Sequence, residues 1–421
     1  MTETYKSMHE EIITHIEDPA YLEILYRKNK TEFKKSFDRI YPELHGNKLA
    51  EFWQERLSYD SDSISWGTMN ELGLVALLSI IAGILVKFPS IFSIDEEFFY
   101  PRNTSIIVLT ALTVYFAKKN NLSVNIIISI SAFVLISLVY INVLPNNPES
   151  NSLILACIHL PLLLWGIFGL SFLGNEPQSF LKRLEFLRFN GDLVVMSGLL
   201  LIAGGLMTGI TLGLFELIGL KIQVFYFQYI VIFGLPMVPI VATYLTQNNP
   251  QLVNKVSPVI AKLFSPLVLV MLVVYLSAIV ISGKDPYNDR EFLLIFNLLL
   301  IGVMALIFFS VAESTNRQKY QFGPWILLLL AVVTTVVNLI ALSAIIYRIS
   351  EWGISPNRIA VLGANILMFT HLVIVITKLY KSITQKAGLS EVGESIVLYI
   401  PIYIAWAFVV VFIFPLAFGF Q

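Results

Sequence analysis

The stretch "MNELGLVALLSIIAGILVKF" (Met69–Phe88) decides what kind of object this chain is. From Leu72 to Val86 it carries one polar side chain, Ser79. About 20 apolar residues are what a helix needs to cross roughly 30 Å of hydrocarbon at ~1.5 Å per residue. No water is present there to satisfy backbone N–H and C=O groups, so a lipid-embedded segment must be a helix or part of a closed barrel. A barrel strand would alternate apolar and polar residues over about ten positions, and this stretch does not alternate. It reads as a transmembrane helix. Working outward, residues 70–88 are followed by apolar runs at about 104–117, 124–144, 152–173, 191–218, 224–245, 259–282, 291–311, 324–347, 357–380 and 395–418. The expected fold is an all-α polytopic membrane bundle of about eleven helices, residues 67–421, preceded by a small soluble helical region, residues 1–66.

Composition agrees. The chain is 56% hydrophobic and only 14% charged, against about 25% charged in soluble domains. Residues 1–68 hold nine basic and thirteen acidic side chains, a net of −4, and the rest of the chain nets +3. An acidic head on an apolar body offers no basic stripe for nucleic acid. The single cysteine, Cys157, sits in an apolar run, so neither a disulfide framework nor a thiolate metal cluster is implied. No cofactor is implied either. The expected partners are the lipid bilayer and, through residues 1–66, a cytoplasmic protein.

The head reads as short amphipathic helices. "DPAYLEILYRKN" places Asp18 as N-cap and Pro19 at the first helical position, with Leu22, Leu25 and Tyr26 at helical spacing. "TEFKKSFDRIY" offers Thr31 as a cap for Phe33, Phe37, Ile40 and Tyr41, and "NKLAEFWQERL" offers Leu49, Phe52, Trp53 and Leu57. Such a head makes a thin core by itself. No basic-then-apolar leader precedes it, so the expectation is a cytoplasmic N-terminus with the first span as an uncleaved anchor.

Short-loop cations set orientation. With the head inside, inner loops hold Lys118, Lys119, Lys182, Arg183, Arg188, Lys255, Arg317, Lys319, Lys381 and Lys386. Outer loops hold Arg102, Lys221, Lys284 and Arg290, with Arg348 and Arg358 flanking one more. The bias favours a cytoplasmic N-terminus and a periplasmic C-terminus. Between the fourth and fifth spans, "QSFLKRLEFLRFNGD" has Phe180, Leu184 and Leu187 on one face, as a helix lying in the headgroup layer would.

Between two long runs, "YRISEWGISPNR" (Tyr347–Arg358) reads as a tight helical hairpin. Gly353 suits the left-handed position after a helix, Ser355 the next N-cap, and Pro356 its first turn. Arg358 is left over. A cation in a first turn opposes the helix dipole, so it requires an acceptor such as Glu351, a lipid phosphate or a ligand anion. With this hairpin, "RFNGDLVVMSGLLLIAGGLMTGITLGLFELIG", "WGTMNELGL", "FFYPRN" and the head pattern, the chain resembles the bacterial multi-pass membrane family DUF4153, in its Bacteroidota-type members. That resemblance implies a bacterial cytoplasmic (inner) membrane protein and brings no activity or catalytic residues.

Polar groups at membrane depth are functional candidates because burying them in hydrocarbon is costly. His371 and Asn365 lie in the tenth run and His159 in the fourth, while Asn338, with Thr334 and Thr335, makes a polar patch in the ninth. Asp192 and Glu216 bracket the fifth run near the interfaces, with Asp192 in a first turn where the dipole favours an anion. Gly205, Gly209 and Gly213 form a GxxxGxxxG ridge expected to pack against another helix. Pro236, Pro239, Pro258 and Pro266 bend the sixth and seventh runs. No nucleotide-binding, zinc-protease or serine-hydrolase motif occurs. Three classes follow: a permease-like transporter of a small solute or lipid-like substrate, a non-catalytic assembly protein with a partner-binding head, and a membrane enzyme acting on lipid-linked substrates. The transporter reading expects a water-accessible cavity near His371 and Asn338.

Overall fold

The computed structural model describes residues 2–44, 46–59, 67–254, 256–282, 287, 290–314, 323–384 and 389–420. The loop cations Lys255, Lys284, Arg317, Lys319 and Lys386 lie outside the described residues. The protein is 87% helical, with no strands among the described residues. It divides into two compact units, Met1–Ser65 and Trp66–Gln421.

The first unit holds α1 (Thr2–Thr14), α2 (Pro19–Lys28), α3 (Lys30–Ile40) and α4 (Lys48–Tyr59). Asp18 caps α2, its Oδ1 accepting from the N–H groups of Ala20 and Tyr21, both at 3.1 Å. The cap of α3 is Asn29 rather than Thr31, because Asn29 Oδ1 accepts from Glu32 N at 3.2 Å. Ile12, Leu22, Phe33, Phe37, Trp53 and Leu57 close into one core. Phe52, expected inside, is 59% exposed, since α4 turns its neighbour Trp53 inward instead. Glu23 lies 2.8 Å from Arg27 and 2.7 Å from Arg56. The hydrogen bond from Arg27, with help from Arg56, holds its carboxyl below the usual range against a smaller opposing effect of burial. A depressed folded-state value stabilises the fold above the ordinary pKa of 4.5, and that contribution is lost as pH falls through the folded value. Amide exchange of the α2 and α4 peptides in the full chain is therefore expected to accelerate below about pH 4.5. In Glu23→Gln the acid-side acceleration should be smaller, and an unchanged profile would remove the ion pair from the head's stability.

The second unit begins with α5 (Met69–Val86), α6 (Phe88–Phe92), α7 (Glu96–Lys119), α8 (Val124–Val143), α9 (Asn151–Leu173) and α10 (Phe180–Leu217). A broken stretch follows, made of α11 (Gln223–Tyr226), a π-helical turn over Phe227–Val231, α12 (Ile232–Gly234) and α13 (Met237–Asn248). Then come α14 (Pro250–Asn254), α15 (Ser257–Ser282), α16 (Arg290–Ser314), α17 (Gly323–Trp352), α18 (Pro356–Thr384), α19 (Ser390–Phe408), a second π-turn over Val409–Ile413, and α20 (Phe414–Ala417). Among the described residues nine helices are long and apolar enough to cross a membrane, and the pair flanking Pro236, bent by 44°, makes a tenth. Many apolar helices of this length make the chain a multi-pass membrane protein.

The short second run is helical throughout α7, whose charged first turns keep it out of that set. Its neighbours show where it goes. Asn103 near its start exchanges side-chain hydrogen bonds of 3.0 and 2.9 Å with Asn142 at the end of α8. Asn120, capping its end, donates to the Ser171 and Phe172 carbonyls at the end of α9, both at 2.9 Å. Thus α7 runs antiparallel to α8 and alongside α9, and it covers about 36 Å at helical rise. It extends through the same layer as α9.

Three expectations are corrected. No separate headgroup helix precedes the fifth span: α10 is a single helix of 38 residues, about 57 Å long, capped by Ser179. Asp192 accordingly lies about three turns inside it, not in a first turn. Among the described residues the GxxxGxxxG ridge meets no other helix, for a Cβ placed on Gly205, Gly209 or Gly213 would find nothing within 4 Å. The close approaches occur at isolated glycines instead. A Cβ on Gly363 of α18 would fall 2.1 Å from the Trp406 ring of α19, and one on Gly191 of α10 would fall 2.0 Å from Phe309 of α16.

The expected hairpin is present. Gly353 takes φ +75° after Trp352, and Ser355 Oγ accepts from Arg358 N at 3.4 Å. Arg358 finds its acceptors in the backbone rather than in Glu351. Its Nη1 donates to the Trp352 and Gly353 carbonyls, both at 2.7 Å, neutralising the negative end of α17. The largest apolar core of the bundle joins α15 to α19 around this hairpin.

Candidate functional site

The α17–α18 hairpin lays a row of asparagines across three helices. Asn338 Nδ2 donates to Asn365 Oδ1 at 3.0 Å. Asn365 Nδ2 in turn donates to Asn297 Oδ1 on α16 at 2.6 Å and to the Val361 carbonyl at 2.9 Å. Asn338 and Asn365 are fully buried. Thr334 and Thr335 stay out of this row: each bonds a carbonyl of its own helix, Leu330 and Ala331.

Six residues further along α18, about 9 Å at helical rise, His371 faces α16 and α19. Its ring stacks on Tyr399 at 4.3 Å between centroids and lies 4.7 Å from the Phe308 ring. His371 Nδ1 sits 3.1 Å from the Tyr403 hydroxyl, which is also 3.5 Å from the Leu367 carbonyl. Tyr399 donates to the same carbonyl at 3.1 Å. His371 Nε2 is enclosed without a hydrogen-bond partner, and so is Asn338 Oδ1. The tautomer does not rescue the histidine. If Tyr403 donates to Nδ1, an N–H on Nε2 has no acceptor; if Nδ1 donates to Tyr403, Nε2 is a bare acceptor.

Of the sequence candidates, the fold brings Asn338, Asn365 and His371 into one region on α16–α19. It leaves the others apart. His159 bonds its own helix, with Nδ1 2.9 Å from the Leu155 carbonyl, and takes no part with His371. Glu216 is exposed at the far end of α10, Asp192 is half-buried within it, and Arg358 caps α17. Sequence reasoning missed Asn297, Tyr399 and Tyr403. Asn297 was visible only as a lone polar residue in the eighth run, and the tyrosines as an i, i+4 pair. It also placed Arg102 in a loop, whereas Arg102 is buried within α7.

Among the described residues, the three side chains around which a water-accessible cavity was expected are buried. His371, Asn338 and Asn365 are closed in by direct side-chain contacts and by the apolar core, in which Met368 and Leu372 flank the histidine on α18. The π-turn of the broken helix, by contrast, exposes backbone. Lys87 Nζ reaches across to it from the end of α5, donating to the Gln228 carbonyl at 2.8 Å and lying 4.6 Å from the Tyr229 ring centre. Chemically, the α18 region holds hydrogen-bonding groups and no carboxylate. Among the described residues no cluster of three or more histidine, cysteine, aspartate or glutamate side chains is arranged to hold a metal.

No family model, curated protein or solved structure matches the chain.

Proposed function

We propose that this membrane protein is permease-like, passing a small polar or lipid-like solute through the bundle, with the α18 polar region as the part that meets it. One observation carries the reading: at membrane depth, two side chains that are otherwise bonded each keep one enclosed polar atom without a partner, His371 Nε2 and Asn338 Oδ1. Leaving a buried polar group without a partner costs about 1–3 kcal/mol, a cost that a ligand bonding to these atoms would offset. The packed geometry is then a closed state of the pathway. The break at Pro236 and the two π-turns are the places where helices yield. The resemblance to DUF4153 and the loop cations support placing the protein in a bacterial inner membrane with its N-terminus cytoplasmic.

The closed packing favours a second reading, a non-catalytic assembly protein whose head, residues 1–66, binds a cytoplasmic partner. One experiment separates the two. In a Cys157→Ala background, Met368→Cys introduces a thiol between Asn365 and His371. The permease reading expects that thiol to react with a membrane-impermeant reagent in sealed vesicles, and His371→Phe to abolish the cellular function while leaving the protein inserted. An inert thiol at position 368 together with full function of His371→Phe would reject it. Loss of function on deleting residues 1–60 alone would then support the assembly reading.

A further inference from the structure

Arg102 is a heavily buried charge for which the described residues offer no counter-charge. It is 2% exposed, and its Nε, Nη1 and Nη2 are all enclosed without a hydrogen-bond partner. Its close polarisable neighbour is the Phe98 ring, 4.0 Å from the guanidinium carbon. Asp95, Glu96 and Glu97 stand exposed at the start of α7 and form no ion pair with it. The neighbouring Asn103–Asn142 bridge is satisfied within itself. A guanidinium stays charged in a protein and presents five donors in a planar fork. Enclosed and unpaired, it lacks an anion.

The surroundings indicate which anion. Arg102 lies six residues, about 9 Å, from the start of α7, near the level where headgroups meet hydrocarbon. Two turns further along α7, beginning at Thr110 about 12 Å from Arg102 at helical rise, an apolar groove of about 230 Å³ lies between α7 and α8, lined by Thr110, Val114, Ile130, Val134, Leu135 and Leu138. Leu138 is one turn below Asn142, whose Nδ2 donates to its carbonyl at 2.9 Å. The Asn103–Asn142 bridge therefore lies between the level of Arg102 and the near end of the groove. A charged fork and an apolar groove about 12 Å apart along one helix match the separation of phosphate and hydrocarbon chain in a single lipid.

We propose that Arg102 holds the phosphate of a bilayer phospholipid whose acyl chain lies in the α7–α8 groove, with the half-buried Phe98 ring as the cover that moves aside. The site is separate from the α18 region and does not depend on the permease reading.

The test is native mass spectrometry of the full-length protein, delipidated in detergent and titrated with dioleoylphosphatidylglycerol. The wild type is expected to retain one lipid, and Arg102→Gln to bind about tenfold more weakly for loss of the charge-assisted contacts. Dioleoylglycerol, which has the chains without the phosphate, should not be retained. Because Arg102→Gln could lower the yield of folded protein, Val114→Trp serves as a second variant: it leaves Arg102 intact, fills the groove from an exposed position, and should also release the lipid. Equal retention by wild type and both variants would overturn the proposal. So would protection by inorganic phosphate without any by the lipid, which would assign Arg102 to a free anion.

Discussion

Asn365→Leu is expected to destabilise the bundle by about 2 kcal/mol, the consequence of orphaning a buried amide. Asn338 has one side-chain partner for its Nδ2, and that partner is Asn365 Oδ1. Leucine at 365 removes it inside a space from which water is excluded, and it also frees Asn297 Oδ1. The penalty for an unsatisfied buried group, about 1–3 kcal/mol in soluble proteins, shrinks in membranes to an average near 0.6 because the unfolded reference state also finds partners. Two orphaned groups, the fully enclosed one near the ~1.7 kcal/mol upper end and the other near the ~0.6 average, bring the sum back to about 2. The effect is asymmetric. Asn338→Leu should cost less, because Asn365 keeps its bonds to Asn297 and Val361. The double variant should recover part of the Asn365→Leu loss, since replacing both partners by apolar groups removes the orphan. Reversible unfolding in mixed micelles of the two single variants and the double variant measures all three terms. A fully additive cycle would show that the asparagine row contributes no coupling between α17 and α18.

The helices were legible in the sequence because hydrocarbon allows few alternatives. An apolar run such as Met69–Val86 must close its own backbone hydrogen bonds, so its length alone specifies its form. The hairpin at Gly353 was legible for the same kind of local reason, a positive φ between two caps. What could not be read was which faces meet. Asn338, Asn365 and His371 each stand out as polar residues at depth, yet their partners Asn297, Tyr399 and Tyr403 are ordinary until α16 and α19 are packed against α18. Asp192 was misplaced because the change from polar to apolar at Asn190–Gly191 reads as a break between two helices, while α10 continues through it. Arg102 looked like a loop residue because "YPRNTS" is polar and contains proline, but α7 runs through it with Pro101 inside the helix, forgoing the bond a backbone N–H there would make to the Glu97 carbonyl.

The glycines carry the same lesson to a measurable contrast. Gly363→Ala is expected to destabilise the protein by about 1–3 kcal/mol, the usual cost of forcing extra atoms into a packed core. The new methyl would sit 2.1 Å from one atom of the Trp406 ring and 2.3 Å from a second, and a rigid indole wedged beside Phe414 cannot bend away. Relief has to come from separating α18 and α19, which would also draw His371 from Tyr399 and Tyr403. Gly209→Ala has the opposite sign. Nothing lies within 4 Å of its added carbon, so only helix propensity acts, favouring alanine by up to about 1 kcal/mol in a helix interior. A sequence-based ranking would reverse the two, since Gly209 belongs to a GxxxGxxxG ridge and Gly363 to no motif. Unfolding of both variants in one detergent decides between ridge and contact. If Gly209→Ala proved the more damaging, the ridge would have to be packed against something other than the described helices.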